Sequence, residues 1–395
     1  MPVSQRKLLG AWYTPPKLVD AVVAEVRRGF EPRTVLDPAC GDGRFLAPFA
    51  DTATVTGIDI EPTTSWTHGD SLAIDWVAQR FDAVVGNPPF LNQLAASTSR
   101  NGRSKFGGGP YADSAAEFLA LAVQLARPGG RVGLVLPLSL LSTRDATAIR
   151  DDVSRRAALR WMWWSPTHMF DASVRVWAGV WEVDGVQGDV RRTFGPEFSE
   201  RPSVPMPTRW SGLIADTDVV EHDGPMLGDI ATFTADFRDQ YYGLVGAVSD
   251  TAIGPPLITC GLIEPNECCW GQRTVRFAKQ KFAAPRVDLN LLSPALQQWA
   301  GRRLVPKILI ASQTRRIEAV IDRDGAWLPS VPVITCTTDR LDDVATVLHS
   351  DQATDWVRYH AAGSGLGASS VRLTARLLAS IPLPAAMAAT PSGAN

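Results

Sequence analysis

Long hydrophobic runs are missing from this 395-residue chain. No stretch approaches the roughly 20 apolar residues of a membrane-spanning helix, and Met1-Pro2-Val3-Ser4-Gln5-Arg6-Lys7 lacks the apolar core of a signal peptide. These absences argue against a membrane partner and lead to the expectation of a cytoplasmic protein. Cysteine is scarce and odd in number: Cys40, Cys260, Cys268, Cys269 and Cys336. None has the paired spacing of a zinc site, so free thiols in a reducing compartment and no metal are expected. The Cys268-Cys269 pair reads as structural. Net charge is also scarce, at −2 with a pI near 6.2. A protein that holds nucleic acid would therefore need a local basic footprint, because the global one is absent.

Such a footprint is present. Between Cys260 and Arg323 there are eleven Lys or Arg against five Asp or Glu, in a stretch that also holds Trp270, Phe277, Phe282 and Trp299. Taken alone, this reads equally well as a solvated basic face. The whole chain, 45% hydrophobic and 20% charged, has the composition of an ordinary globular protein with room for two domains or three.

The first half alternates strand and helix. Thr14 is expected as the N-cap of a helix with Pro15 in its first turn and an apolar stripe at Leu18, Val19, Val22, Val23 and Val26. A strand over 33–37 then runs into Pro38-Ala39-Cys40-Gly41-Asp42-Gly43, where small residues let a ligand approach the backbone as strand gives way to helix. The acid at the strand end disfavours a pyrophosphate. A second strand, Val55–Ile60, ends in Asp59, placed to take both hydroxyls of a ribose. Gly69-Asp70-Ser71-Leu72 supplies a loop acid with an apolar neighbour, suited to an adenine. Each piece is weak alone; their order and spacing together are strong.

Phe81 to Gly86 reads as a buried strand of a parallel sheet, followed by Asn87-Pro88-Pro89-Phe90. Asn87 brings a side-chain carbonyl, the two prolines stiffen the chain and withdraw two donors, and Phe90 adds a flat ring. Acceptors aimed at one point beside a ring suit a planar, amino-bearing base. The stretch 91–114 lacks periodicity and reads as a loop. Helices near 118–125 and 145–158 and strands near 131–136, 161–164 and 174–183 complete a parallel α/β layer. A Pro-rich segment from Gly195 to Pro207 reads as a linker, and beyond it short β-like runs take over. No internal repeat is found.

These motifs resemble S-adenosylmethionine-dependent N6-adenine DNA methyltransferases of the gamma arrangement, in restriction–modification systems. The residues concerned are Tyr13-Thr14-Pro15-Pro16, Asp37 to Gly43, Asp59-Ile60, Gly69-Asp70-Ser71, Asn87 to Phe90 and Phe118. Looser similarity continues through Gly261-Leu262-Ile263, Lys307 to Ile310 and Ile381 to Pro384.

The resemblance implies a class I methyltransferase domain, Rossmann-like with a mostly parallel seven-stranded sheet, over residues 1–190. With the change of composition past Asp184 and the low-complexity end, a linker is expected at 191–210 and a tail at 386–395, and the resemblance implies that 211–385 is an α+β target-recognition domain. Thr14, Ala39, Cys40 and Gly41 would line the methionine end of the cofactor S-adenosyl-L-methionine, with Asp37 near its ammonium. Asp59 would hold the ribose and Asp70 the adenine amino group, with Ile60, Ser71, Pro89 and Phe118 about the ring. Asn87 and the Pro88 carbonyl would accept the two hydrogens of a flipped adenine, with Phe90 stacking on it and Phe170 as a second wall. The product would be S-adenosyl-L-homocysteine.

Double-stranded DNA would be held by Lys279, Lys281, Arg315 and Arg316, by a monomer with a companion restriction endonuclease. Phe90 stands where many relatives have Tyr, and some ribosomal RNA guanine methyltransferases share Asn-Pro-Pro-Phe. An RNA base, a protein glutamine amide and a non-catalytic specificity or defence protein therefore stay open as alternatives.

Overall fold

The computed structural model describes residues 14–61, 66–77, 79–90, 104–109, 112–165, 175–214, 222–236, 238–361, 364, 370–384 and 387. Phe170, most of the loop at 91–114 and nearly all of the tail lie outside the described residues. The chain divides into two units, Met1–Ile214 and Ala215–Asn395. No helix among the described residues is long and apolar enough to cross a membrane.

The first unit is built on one sheet of nine strands: β1 (Thr34–Asp37), β2 (Thr54–Asp59), β3 (Thr67–His68), β4 (Phe81–Gly86), β5 (Ala126–Pro137), β6 (Ala157–Trp164), β7 (Val176–Val183), β8 (Val190–Phe194) and β9 (Ser199–Val204). Their order is β3-β2-β1-β4-β5-β7-β6-β8-β9. Pairing is parallel from β3 to β5, while β7 runs antiparallel between β5 and β6. The first seven strands form the class I methyltransferase sheet that the motifs led one to expect.

Both faces of this sheet are covered, and the sequence says why. Alternate residues of each strand enter different cores. Val35, Ala83, Val85, Trp161, Trp163 and Ala178 pack with helix α1 (Pro16–Arg27). Leu36, Val84, Met162, Trp164 and Trp177 pack with α2 (Ser114–Leu125) and α3 (Thr147–Arg156). On the α1 side, a Cβ at Gly133 would come within 2.5 Å of Val26 Cγ2, so glycine there lets the helix settle onto β5.

Three expectations need correction. Thr14 does not cap α1: Pro15 occupies that position and no side chain caps the helix. After the glycine-rich loop there is only a short 3-10 turn, Ala47–Phe49. The chain from Arg44 to the next strand at Thr54 is short, and Pro48 within it has no N–H to give a helix. Residues 191–210 are no linker. β8 pairs in parallel with β6, and β9 closes the sheet edge, where Pro202 is tolerated because an edge strand has one unpaired side. Arg192, buried against the Trp164 ring at 5.8 Å, donates to the carbonyls of Pro202 and Leu213 and ties this segment in. The sheet is thereby nine-stranded, and the first unit reaches Ile214.

The second unit is α+β. Strands Thr232–Ala235, Ile334–Thr337, Lys307–Ile310 and Ala319–Asp322 pair antiparallel in that order. One face packs on helices Leu341–His349 and Asp351–Ala361. Lys307 and Asp322 sit directly opposite in the ladder and form an ion pair that is almost fully buried. Burial pushes the Lys307 ammonium down while the Asp322 carboxylate holds it up. That carboxylate also accepts from the backbone N–H groups of Ala326 and Trp327 at 3.0 and 2.9 Å. Removing it in Asp322→Ala strands a buried cation and two donors, and is expected to cost about 3–5 kcal/mol. Urea unfolding of the variant checks this; a loss below about 1 kcal/mol, the range of an exposed pair, would refute it.

Candidate functional site

Asp37, Asp59 and the Gly86-Asn87 step stand at the C-terminal ends of β1, β2 and β4, the edge where open α/β sheets bind ligands. Asp37 ends β1 and is 2% exposed. Its Oδ1 accepts from the Ala39 N–H at 3.0 Å, and a Cβ at Gly86, the last residue of β4, would lie 2.6 Å from the same oxygen. Glycine at 86, with φ +151°, thus lets the Asp37 carboxyl sit against the backbone that leads into Asn87. Burial, with Asp59 and Asp42 adding to it, pushes the Asp37 carboxyl up to about 8, against the Ala39 hydrogen bond. A cation placed beside it would reverse that shift.

Asp59 ends β2 and braces the glycine-rich loop. Its Oδ2 accepts from Gly41 N–H at 2.7 Å and its Oδ1 from Glu61 N–H at 2.8 Å. Each oxygen keeps a lone pair for a further donor. Cys40 donates its N–H to the Ile58 carbonyl, and its thiol, 5% exposed, is pushed up by burial and by Asp37 and Asp59. A buried thiol shifted toward its protonated form is poorly suited to act as a nucleophile. Ile60 is 58% exposed, an apolar side chain beside Asp59 with little to cover it.

Ser71 is buried and donates its hydroxyl to the Pro38 carbonyl at 2.6 Å. It therefore ties the 69–72 loop to the glycine-rich loop. Asp70 accepts from Leu72 N–H at 3.0 Å. Phe118 on α2 is buried in the same core as Leu72, with Ala39 and Phe90 packed against it.

Asn87 is half-buried and Pro88 buried. The Pro89 carbonyl accepts from the Ser114 hydroxyl at 2.5 Å, which fixes the Asn87–Phe90 turn to the first residue of α2. Among the described residues no backbone donor reaches the Pro88 carbonyl. Thr14 is buried, and its carbonyl accepts from Arg44, which also pairs with Asp42. Burial raises the Asp42 carboxyl, but the Arg44 hydrogen bond and charge outweigh it and hold it low.

Sequence reasoning missed the parts that hold the site rather than line it. Arg44 and Ser114 carry no motif signal beyond their places beside the glycine-rich loop and before a helix. Trp66 lies over Gly43 and Gly57, whose added Cβ atoms would run into its ring, at 2.5 Å for Gly57. It packs against the core on the α1 side of the sheet. Ser104 donates to the buried Glu117 and accepts from the N–H groups of Phe106 and Gly108, while Lys105 Nζ reaches the Leu72 carbonyl at 2.7 Å. Segment 104–109 thus straps α2 to the 69–72 loop. The four basic residues Lys279, Lys281, Arg315 and Arg316 belong to the second unit. All four are exposed, and Arg316 pairs with the exposed Asp351 at 2.9 Å.

Residues 53–184 match the N-6 DNA Methylase family. The type II methyltransferase M.TthHB8I of Thermus thermophilus is 27% identical over 187 residues, 39% of this chain and 40% of that protein. The type II methyltransferase M.CvrRI of Paramecium bursaria Chlorella virus XZ-6E is 27% identical over 96 residues, 21% of this chain and 25% of its own. The chain thus spans less than half the length of these curated relatives. Among solved structures, the type IIL restriction-modification enzyme MmeI in complex with DNA superposes with a TM-score of 0.61 at 13% identity, over 96% of this chain and 69% of that one. At that identity the match speaks for the fold alone. Within the N-terminal unit, the stretch from β2 to the end of β7, which carries Asn87-Pro88-Pro89-Phe90 after β4, is thus similar in sequence to the N-6 DNA Methylase family.

Proposed function

We propose that the chain transfers a methyl group from S-adenosyl-L-methionine to N6 of an adenine turned out of duplex DNA, at a specific site, releasing S-adenosyl-L-homocysteine. The observation that carries this reading is the meeting of a buried acid, Asp37, with the backbone of Gly86-Asn87 at neighbouring strand ends. A donor-binding edge and an amine-binding turn are thereby joined.

The residues present fit the cofactor. Asp37 is a buried carboxyl that an incoming ammonium would ionise, Asp59 has lone pairs for two ribose hydroxyls, and Asp70 follows in sequence order with a carboxylate for an adenine amino group. Ile60, Pro89 and Phe118 offer apolar surface for the ring, and Ala39, Cys40, Gly41 and Thr14 small or buried walls. When bound, the cofactor supplies a sulfonium-activated methyl group.

The chain's part is to prepare the amine. An exocyclic amino nitrogen is a weak nucleophile because its lone pair is delocalised into the ring. Asn87 Oδ1 and the Pro88 carbonyl accept its two hydrogens, favour a pyramidal nitrogen and stabilise the positive charge that develops there. The Ser114 bond to Pro89 keeps that turn from relaxing, so the acceptors are fixed before the base arrives. Phe90 stacks on the flipped base. Lys279, Lys281, Arg315 and Arg316 are proposed to meet DNA phosphates, and the restriction–modification setting, with a separate nuclease, is part of the same reading.

Incubating the purified chain with methyl-tritiated cofactor and duplex DNA, then digesting to nucleosides, tests it. Tritium is expected in N6-methyladenine. Label found only in RNA, or only in protein, would replace the proposed substrate.

A further inference from the structure

We infer that the β-hairpin Val275–Phe282 is a rigid, preloaded grip for the phosphate backbone of duplex DNA. The inference rests on the methyltransferase reading above and names the element that holds its substrate.

The hairpin has strands Val275–Phe277 and Gln280–Phe282 with a two-residue turn, Ala278-Lys279. Both turn residues lie in the left-handed region, at φ +48° and +68°. That is the geometry two-residue hairpins prefer, but it is normally given to Asn-Gly or Gly, because a Cβ there crowds the backbone. Here alanine and lysine occupy it. In the ladder Arg276 stands directly opposite Lys281, and both are exposed. Like charges placed across a pair repel. Two local features therefore work against the fold at one spot, and both place positive charge there.

Several other cations of the same unit are answered within it: Arg273 by Glu264, Arg303 by Asp236, Arg316 by Asp351, Arg323 by Asp342 and Arg340 by Asp343; what sets the hairpin apart is that three cations without an ion pair share one short ribbon. Among the described residues no carboxylate forms an ion pair with Arg276, Lys279 or Lys281. The other face of the hairpin is anchored. Val275, Phe277 and Phe282 are buried, Tyr241 packs on Phe277 with ring centroids 4.9 Å apart, and its hydroxyl accepts from Ala278 N–H at 3.0 Å. Asp250 accepts from the N–H groups of Ala283 and Ala284 at the base. An unanswered cluster of three cations on a braced two-stranded ribbon is complementary to a polyanion. Such a ribbon is narrow enough to follow a DNA groove. Lysine and arginine at a strained tip act here through phosphates, which set affinity and register rather than sequence.

The test uses the full chain. Binding to a mixed-sequence DNA duplex is followed by fluorescence anisotropy across a salt series, for the wild type, Lys279→Gly, Arg276→Gln and Lys281→Gln, with Arg323→Gln as the paired-cation control. Each hairpin variant is expected to bind more weakly and to lower the magnitude of the salt slope by about one. Arg323→Gln should leave the slope in place. Lys279→Gly should also raise Tm, because glycine accepts the left-handed turn, so its loss of binding is not a loss of folding. An unchanged slope in the three hairpin variants, while the wild type binds and methylates the duplex, would overturn the hairpin assignment alone. Altered site preference at an unchanged slope would overturn it as well. A wild type that neither binds nor methylates duplex DNA would instead overturn the reading beneath it.

Discussion

Asn87→Ala is expected to lower methyl transfer to duplex DNA by about 10²–10³-fold, the usual cost of one preorganised acceptor or donor at a centre where charge develops. Cofactor affinity should stay within a few fold. The Asn87 amide meets charge only as the nitrogen turns cationic, so its loss falls on the rate and not on donor binding. Asn87→Asp, which keeps an oxygen in place, should retain more activity than the alanine variant. Single-turnover transfer of labelled methyl gives the rate, and titration calorimetry gives the affinity. A parallel collapse of cofactor binding would move Asn87 from amine recognition to the donor pocket.

Asp37→Asn is expected to act in opposite directions on the protein alone and on its complex. Burial pushes the Asp37 carboxyl up to about 8, far above its ordinary 3.8. Such a group contributes most to stability below its unfolded value and loses that contribution as pH rises through its folded one. Between about pH 4 and 8, then, the unliganded wild type should lose stability relative to Asp37→Asn, by about 1.4 kcal/mol for each pH step of one. Thermal scans across that window read the difference, and the Asp37→Asn variant should melt later at its alkaline end.

Cofactor binding is expected to weaken about 10–100-fold in this variant, since a charge-assisted hydrogen bond is lost. In the wild type an ammonium beside Asp37 favours the carboxylate, so binding below about pH 8 should release a proton. Calorimetry in buffers of different ionisation enthalpy detects that proton, and Asp37→Asn should abolish it. A wild type that binds the cofactor with no proton release would remove Asp37 from the ammonium site.

Much of the site was legible because its chemistry is local. An acid at a strand end, small residues after it and an acceptor turn between prolines each need only a few consecutive residues. Strand β4 and the turn that follows it stand where the sequence reading put them. What was not legible depends on distant partners. Prolines and glycines at 195–207 read as a linker because their local signals resemble one. The segment joins the sheet because Trp161–Trp164 of β6 offers a free ladder edge to 191–194, which β9 then follows. Thr14 has the chemistry of an N-cap, yet it is buried with its carbonyl held by Arg44, and the helix begins past it.

The basic stretch shows the same division. Composition alone placed a positive excess between Cys260 and Arg323 and gave Lys279, Lys281, Arg315 and Arg316 equal standing. Pairing separates them, since Arg316 faces Asp351 while Lys281 faces Arg276. By itself the sequence determined the class of sheet, the acids that end β1 and β2 and the Asn-Pro-Pro-Phe stretch after β4, because alternation and short motifs are written in neighbouring residues. Only the tertiary structure decided where the first unit ends, which strand-end carboxyl is buried, and which cations stand across from an acid and which across from another cation. Each of those depends on what other parts of the chain bring within a few ångströms.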